Sequence, residues 1–270
     1  MAQTLSEFSL FALKGKSPAG CIRGDWLHIE YGSQSDPGRV RTSNEDSFIA
    51  NPQRLIFLVA DGMGGHAAGE IASQIAASIV EEVVSNDSSG LSMGDLLQLA
   101  VQKANASVFD TQKLRPECRG MGSTLTVLTF LDDHYYVAQV GDSRAYLYRN
   151  RMLSQLTRDH SIVWPLFENG IITKDNISRH PQKNLITRSI GTQPQVEADI
   201  QKGAALDGDT FLLCSDGLTD VLSDREILHI LSSLDKDPQE LSDLLINAAN
   251  AGGGPDNITA VVVRLGLGKT

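Results

Sequence analysis

Four aspartates each lie at the end of an apolar, strand-like segment, and this pattern constrains the fold more than any other feature. Asp61 follows LIFLVA, Asp142 follows YYVAQVG, Asp216 follows FLLCS, and Asp256 precedes NITAVVV. One such aspartate alone is most simply a turn residue, because its side chain satisfies local backbone hydrogen bonds. Four carboxylates brought together in a low dielectric would repel one another unless cations lay between them. The pattern therefore predicts a sheet edge that holds metal ions.

The donor types indicate which metal would bind there. An all-oxygen set without cysteine or clustered histidine suits hard ions, Mg²⁺ or Mn²⁺, and disfavours zinc. Glycines adjoin the acids and allow the backbone to approach an ion, so that the carbonyl of Gly62 could itself be a ligand.

A mixed-charge segment completes the candidate site. In GRVRTSNEDSF, Arg41 lies four residues before the adjacent pair Glu45 and Asp46. The planar guanidinium of an arginine matches the oxygens of a phosphate, and nearby acids could orient it or hold metal-bound water. A solvated loop is the alternative interpretation of this segment taken alone.

The order of apolar patterns predicts the fold class. Strands are expected at 26–36, 46–50 and 54–61, and then two helices from about Ala67 and over about 95–114. In the first helix Ile71, Ile75, Ile79 and Val83 form an apolar stripe. Further strand blocks and capped helices follow. The predicted fold is α+β: two stacked antiparallel β-sheets flanked by pairs of helices, a four-layer αββα sandwich.

Three regions receive more specific predictions. The runs STLTVLTFL, HYYVAQVG and SRAYLYRN are typical of an antiparallel meander. Residues 158–190 are irregular, with a short helix-like part, and are expected to form an insertion over a sheet edge. Residues 1–25 have weak periodicity and are assigned to an N-terminal extension or linker, which leaves 26–267 as one domain.

Charge and cysteine content exclude several classes of partner. A net charge of −10 argues against nucleic-acid binding, and no run reaches the ~18 apolar residues of a membrane span. The start of the sequence lacks the pattern of a signal peptide. Cys21, Cys118 and Cys214 are too few and too scattered for a disulfide framework or a zinc site. A cytoplasmic protein without membrane association is expected.

Seven motifs in order carry a family resemblance: VRTSNEDS, VADGMGGH, GMGSTLTV, VGDSRAYLYR, TRDHS, CSDGLTD and GGPDNIT. Together they cover about Gly32 to Leu265 and resemble the bacterial branch of the metal-dependent protein phosphatases, the PPM or type 2C serine/threonine phosphatases. The resemblance implies a β-sandwich between helical pairs with a dinuclear Mn²⁺ or Mg²⁺ centre at one end, in agreement with the fold predicted from the strand and helix patterns.

The resemblance also implies roles for individual residues. Asp61 corresponds to the carboxylate that bridges two metal ions, the Gly62 carbonyl to a ligand of one ion, and Asp216 and Asp256 to ligands of the other. Asp46 corresponds to one of the acids that hold metal, and Glu45 to an acid that contacts metal through bound water. Arg41 corresponds to the phosphate-binding arginine, and Asn257 lies beside the final ligand.

Asp142 with Asp220 corresponds to a weaker third ion, and residues 158–190 to the mobile flap of the family. The sequence departs from the eukaryotic pattern at Met63, where those members carry a histidine assigned as general acid. That assignment does not transfer, and His66, three residues on, is a candidate substitute against the alternative of a capping or surface residue.

The function implied is hydrolysis of phosphoserine and phosphothreonine in proteins by a metal-activated water at the dinuclear centre, without a phosphoenzyme. The catalytic set is Arg41, Asp61, Asp216 and Asp256, with Arg41 also binding substrate. Phosphorylated proteins are the expected substrates, a cognate serine/threonine kinase the expected opposing enzyme, and a monomer the expected state. A catalytically silent phosphoprotein-binding module on the same fold is the alternative, disfavoured because every matched ligand position keeps its acid. A metal nuclease conflicts with the acidic charge.

Overall fold

Two antiparallel sheets lie face to face, and helices cover the outer face of each. The computed structural model describes residues 20–23, 27–64, 68–177 and 179–267. The strands are β1 (Gly20–Arg23), β2 (Leu27–Asp36), β3 (Ser47–Asn51), β4 (Ile56–Ala60), β5 (Gly62–Met63), β6 (Gly122–Ser123), β7 (Leu125–Leu131), β8 (His134–Val140), β9 (Arg144–Arg149), β10 (Met152–Gln155), β11 (Asp199–Ala204), β12 (Thr210–Cys214) and β13 (Ile258–Leu267).

The helices are α1 (Ala68–Ser85), α2 (Met93–Leu114), α3 (Trp164–Glu168), α4 (Asp216–Thr219), α5 (Asp224–Leu231) and α6 (Pro238–Ala251). One sheet has the strand order β1-β2-β13-β12-β9-β10, the other β11-β8-β7-β4-β3, and β5 pairs with β6 in a short ribbon. The four-layer αββα sandwich is therefore confirmed.

The continuous apolar runs arise because the central strands are buried on both faces. In β4, Phe57 and Val59 pack between the sheets, whereas Ile56, Leu58 and Ala60 pack under α1 and α2. Strand β12 alternates in the same way between the core of the sandwich and the core under the helices α4–α6. A strand with polar side chains on one face could not occupy either position.

The buried face of α1 is made mostly of small residues. Ala68, Ala72, Ala76 and Val80 are buried, whereas the predicted stripe of Ile71, Ile75, Ile79 and Val83 is only partly buried and packs beside them. Helices α5 and α6 begin at capping boxes, at Ser223 with Glu226 and at Asp237 with Glu240, as their sequences predict.

The predicted three-strand meander is wrong in its last strand. Strands β7 and β8 pair in one sheet, but β9 pairs with β12 and β10 in the other. The chain crosses between the sheets at Gly141, Asp142 and Ser143, where Gly141 has a φ of +104° that favours glycine. Asp142 therefore lies at a crossover between sheets.

Part of the predicted N-terminal extension belongs to the sheet. Residues 20–23 form β1, an antiparallel edge strand on β2, instead of a linker. Residues 1–19 and 24–26 lie outside the described residues.

The insertion, residues 158–190, is anchored at both ends. Its first residues pair with its last through a bridge between Ser161 and Ile186, and Ile190 bridges Ser123 in β6. Between them, Val163, Trp164 and Ile177 form a small apolar cluster of their own. Within the described ranges, no helix is both long and apolar enough to span a membrane.

Candidate metal centre

Acids from both sheets line one pocket of about 200 Å³ at the end of the sandwich. The lining residues are Arg41, Glu45, Asp61, Gly62, Met63, Gly64, Thr124, Asp142, Asn184, Ile186, Asp216, Asp256 and Asn257. Of the residues that the sequence assigned to the site, Asp46 and Asp220 are the two that do not line it. The four strand-end acids, Asp61, Asp142, Asp216 and Asp256, therefore line the same pocket.

The backbone of Asp61 is held on both sides at the end of β4. Its N–H donates to Thr124 Oγ1 at 2.9 Å, and its carbonyl oxygen accepts from the N–H of Thr124 at 2.9 Å and from Ser123 Oγ at 3.0 Å. The carboxylate therefore projects from a fixed position.

Gly62 is required by close backbone contacts. A Cβ at this position would lie 2.1 Å from the carbonyl oxygen of Gly69 and 2.5 Å from that of Glu45. The absence of a side chain brings the start of α1 and the segment carrying Glu45 against the residue that follows Asp61.

Asp46 is the most deeply buried acid of the group. Its Oδ2 accepts hydrogen bonds from Ser215 Oγ at 2.7 Å and Thr259 Oγ1 at 2.6 Å, whereas its Oδ1 is buried without a hydrogen-bond partner. Burial, partly offset by those two hydrogen bonds, raises the pKa of Asp46 to about 6. A buried carboxylate oxygen with unused acceptor capacity fits a nearby cation or a water bound to one.

Asp216 and Asp256 come from the six-stranded sheet. Asp216 is the first residue of α4, directly after Ser215 at the end of β12, and Asp256 lies two residues before β13. Asp256 Oδ1 accepts from the backbone N–H of Asn257 at 2.8 Å, and its Oδ2 accepts from Arg41 Nη2, also at 2.8 Å. Arg41 remains 54% exposed at the mouth of the pocket.

Asn257 fixes the loop that carries Arg41. Its Oδ1 accepts from the backbone N–H of Glu45 at 2.8 Å, and its Nδ2 donates to the carbonyl oxygens of Ser43 at 2.8 Å and Pro37 at 3.1 Å. The loop over 37–45 is therefore tied to the start of β13, beside Asp256.

The electrostatics of the pocket are those of crowded acids. Burial, followed by repulsion from Asp46, Asp216, Asp142 and Asp256, raises the pKa of Asp61 well above its usual range. Burial, followed by repulsion from Asp142 and other acids, does the same for Asp216. Positive charge in the pocket would relieve both repulsions.

The carboxylates surround the pocket without converging on one point. Across the described ranges, no three acidic, histidine or cysteine side chains form a compact group able to hold a metal ion by themselves. Mg²⁺ and similar hard ions keep several water ligands and need only one or two carboxylates each. The donor set therefore fits such ions, with water or phosphate oxygens completing their coordination.

The candidates for a third ion lie at the edge of this group. Burial raises the pKa of Asp142 to about 7, with repulsion from Asp159 and Asp220 contributing. Asp220 makes an ion pair with Lys183 of the insertion. Arg144, two residues after Asp142, binds Asp159, through Nη2 to Oδ2 at 2.6 Å and Nε to Oδ1 at 2.9 Å.

The structure also bears on which side chains could serve as a general acid or as a nucleophile. Met63 lines the pocket and has no titratable group, and His66 lies outside the described residues. Burial raises the pKa of Cys214 to about 12, which disfavours the thiolate that a cysteine nucleophile requires. Cys118 and Cys214 are both free and buried.

Several residues that position the site were not indicated by the sequence patterns. Thr124, Ser215 and Thr259 hold Asp61 or Asp46, and Asp159 holds Arg144. Each lies within one of the seven motifs, but the motif alone does not show which side chain it will contact in the folded chain.

Comparison with known proteins agrees with this geometry. A profile described as Protein phosphatase 2C matches residues 39–245. The serine/threonine protein phosphatase PstP of Mycobacterium tuberculosis is 40% identical over 236 residues, covering 87% of this chain. The serine/threonine phosphatase stp of Listeria monocytogenes is 37% identical over 247 residues, covering 89% of this chain and 97% of its own length.

The chain spans less than half, 45%, of the length of the mycobacterial relative. A crystal structure of the catalytic domain of PstP in complex with two manganese ions superposes with a TM-score of 0.80 and 37% identity, covering 89% of this chain and 99% of that one. Fold and pocket together define a class, the metal-dependent protein phosphatases. Within that class, the chain belongs to the protein phosphatase 2C family.

Proposed function

We propose that the protein removes phosphate from phosphoserine and phosphothreonine in proteins, with two Mn²⁺ or Mg²⁺ ions at the pocket. The observation that carries the proposal is the meeting of strand-end acids from both sheets around one pocket with Arg41 at its mouth. When bound, such ions would supply Lewis acidity for the phosphoryl oxygens and would lower the pKa of a water at the pocket.

In this proposal Asp61, the Gly62 carbonyl, Asp216 and Asp256 hold the ions, with Asp46 behind them. Their support is the pocket geometry, the raised pKa values of Asp61 and Asp216, and the unpartnered oxygen of Asp46. Acids engaged in this way are not free to form a phosphoenzyme.

Glu45 and Arg41 act on the substrate side of the pocket. Glu45, held through its backbone by Asn257, would order water at the pocket through its carboxylate. Arg41 would bind the phosphate with its planar fork, and its contact with Asp256 presents the guanidinium to the pocket.

Substrate, location and extent are further parts of the proposal. We take 26–267 as the catalytic domain, to which β1 adds an edge strand, with 158–190 as its flap. Phosphorylated proteins are the substrates, a cognate serine/threonine kinase opposes the enzyme, and the protein is a cytoplasmic monomer without nucleic-acid or membrane partners. The net charge of −10 argues against a nucleic-acid partner, and the free cysteines Cys118 and Cys214 support a cytoplasmic location.

Phosphate release from a phosphothreonine peptide, with and without Mn²⁺ or Mg²⁺, tests the function. We expect release to depend on added metal and to stop with EDTA, because the acids alone provide no positive charge for the phosphoryl group. Peptide binding without phosphate release under every metal condition would instead identify a silent binding module. Release that persists in chelator would contradict the dinuclear mechanism.

Arg41→Ala should mainly raise KM, because the guanidinium binds phosphate in both ground and transition states. Loss of a hydrogen-bonded charge corresponds to an increase of about ten- to a hundredfold. Arg41→Lys should restore KM only in part, since the bidentate fork is lost. Arg39→Ala, which removes an exposed arginine two residues away, is the matched control. An unchanged KM in Arg41→Ala would make this arginine an ordinary surface residue.

A further inference from the structure

Two lysines of the insertion bind two aspartates that lie four residues apart. Lys183 makes an ion pair with Asp220, and Lys174 Nζ lies 2.6 Å from Asp224 Oδ2. Asp220 directly follows α4, and Asp224 is the first residue of α5. The insertion is therefore attached by charge to the short segment that follows Asp216.

The two ion pairs have different surroundings. Asp220 belongs to the crowded acids, because its charge contributes to the raised pKa values of both Asp142 and Asp216. Its side chain is 20% exposed, and that of Lys183 is 29% exposed. Lys183 also directly precedes Asn184, which lines the pocket. Its ammonium group thus brings a positive charge to a carboxylate at the edge of the candidate metal centre.

Lys174 lies outside this group of acids. Its partner Asp224 accepts a hydrogen bond from Tyr146 Oη at 3.2 Å, and Lys174 Nζ lies 5.8 Å from the centre of the Tyr146 ring. Neither Lys174 nor Asp224 lines the pocket. This pair can attach the insertion without contacting the acids of the centre.

We propose that Lys183 is a built-in cation of the metal centre, which neutralises Asp220 when no divalent ion is bound there and is displaced when one binds. The inference rests on the proposed function for the two ions of the pocket, and it takes Asp220, with Asp142, as the place of a weaker third ion. The same lone pairs of the Asp220 carboxylate cannot contact both the ammonium group of Lys183 and a divalent ion. The ammonium group and the ion therefore compete for Asp220.

Displacement of Lys183 frees the adjoining part of the insertion. The strand-like pairing beside it is short: the N–H of Ile162 donates to the carbonyl oxygen of Leu185 at 3.0 Å, and that of Thr187 to the carbonyl oxygen of His160 at 2.7 Å. Trp164 and Ile177 in their small cluster, together with Lys174, continue to hold the rest. The weak ion would thereby control the mobility of the pocket wall that contains Asn184 and Ile186.

The test compares metal-free wild type with Lys183→Met and Lys174→Met, each as the full chain. Isothermal titration with Mn²⁺ gives the dissociation constant of the weakest ion. Hydrogen–deuterium exchange of residues 179–187 is followed at the same metal concentrations. Neither measurement requires catalysis.

We expect Lys183→Met to bind the weakest ion about tenfold or more tightly, because a neighbouring cation changes the proton affinity of a carboxylate by a comparable factor. Exchange over 179–187 should accelerate in the wild type as that ion binds, and should be fast at every metal concentration in Lys183→Met. Lys174→Met should leave the dissociation constant within about twofold, because its charge lies outside the group of acids.

Three results would each overturn the proposal. They are equal dissociation constants in all three proteins, the absence of a third ion, and hydrogen–deuterium exchange over 179–187 that does not change with metal concentration. If the wild type still releases phosphate with Mn²⁺ in those cases, the proposed function stands and only the role of Lys183 is lost. A wild type without metal-dependent phosphatase activity would instead remove the function, whatever the titrations give.

Discussion

Asp61→Asn is expected to lower turnover of a phosphothreonine peptide by about a thousandfold or more. Stabilisation of the transition state by bound metal is worth several kcal/mol, and each ~1.4 kcal/mol is tenfold in rate. The substitution keeps the shape of the side chain but removes the negative charge of the carboxylate, which in our proposal binds the ions. Steady-state kinetics at saturating Mn²⁺ measure the loss.

The fold of Asp61→Asn should survive, and the metal-free protein should be at least as stable as the wild type. Burial and repulsion raise the pKa of Asp61, so the folded state already disfavours its charge. Asp87→Asn, the same change at an exposed aspartate between α1 and α2, is the control and should keep wild-type kinetics. A near-normal kcat in Asp61→Asn would exclude the bridging role.

Asp159→Ala is expected to reduce the free energy of unfolding by about 3–5 kcal/mol, the cost of leaving a buried charge without its partner. Asp159 is 3% exposed and binds Arg144, which is 12% exposed, through three hydrogen bonds. Urea denaturation measures the change. Combining Asp159→Ala with Arg144→Met should recover part of the loss, since no charge is then left unpaired.

An exposed ion pair provides the control for Asp159→Ala. Asp110 binds Lys113 on the surface of α2, where both side chains are more than 60% exposed. Asp110→Ala should cost less than about 1 kcal/mol, because such pairs are well solvated. Similar losses in Asp159→Ala and Asp110→Ala would mean that Arg144 finds water or another partner, and that the buried pair does not stabilise the start of the insertion.

The sequence predicted the parts of the fold whose signal is strong and local. Strand β4 is apolar on both faces and can only be central, and capping residues mark the starts of α5 and α6. Strands β10 and β11 lie at sheet edges, where none of their residues is fully buried, so their runs MLSQ and DIQKGA show no clear alternation of apolar and polar residues.

Pairing between distant segments could not be predicted in the same way. Sequence order favoured β9 as the neighbour of β8, but a positive φ at Gly141 takes the chain into the other sheet. The strand-end acids were recognisable because their type and context repeat along the chain. The partners that orient Asp46, namely Ser215 and Thr259, lie 169 and 213 residues away along the chain and contact it only because of the sheet arrangement.

The acids of the candidate metal centre are divided between the two sheets: Asp46 and Asp61 adjoin strands of one, and Asp216 and Asp256 adjoin strands of the other. The spacing between these pairs is therefore set by how the sheets are stacked, through ring contacts such as Phe130 with Phe211 at 5.6 Å. A change in that stacking would change the distance between the two pairs of acids at the end of the sandwich. Ions bound between the two pairs of acids would in turn hold the two sheets at a fixed spacing.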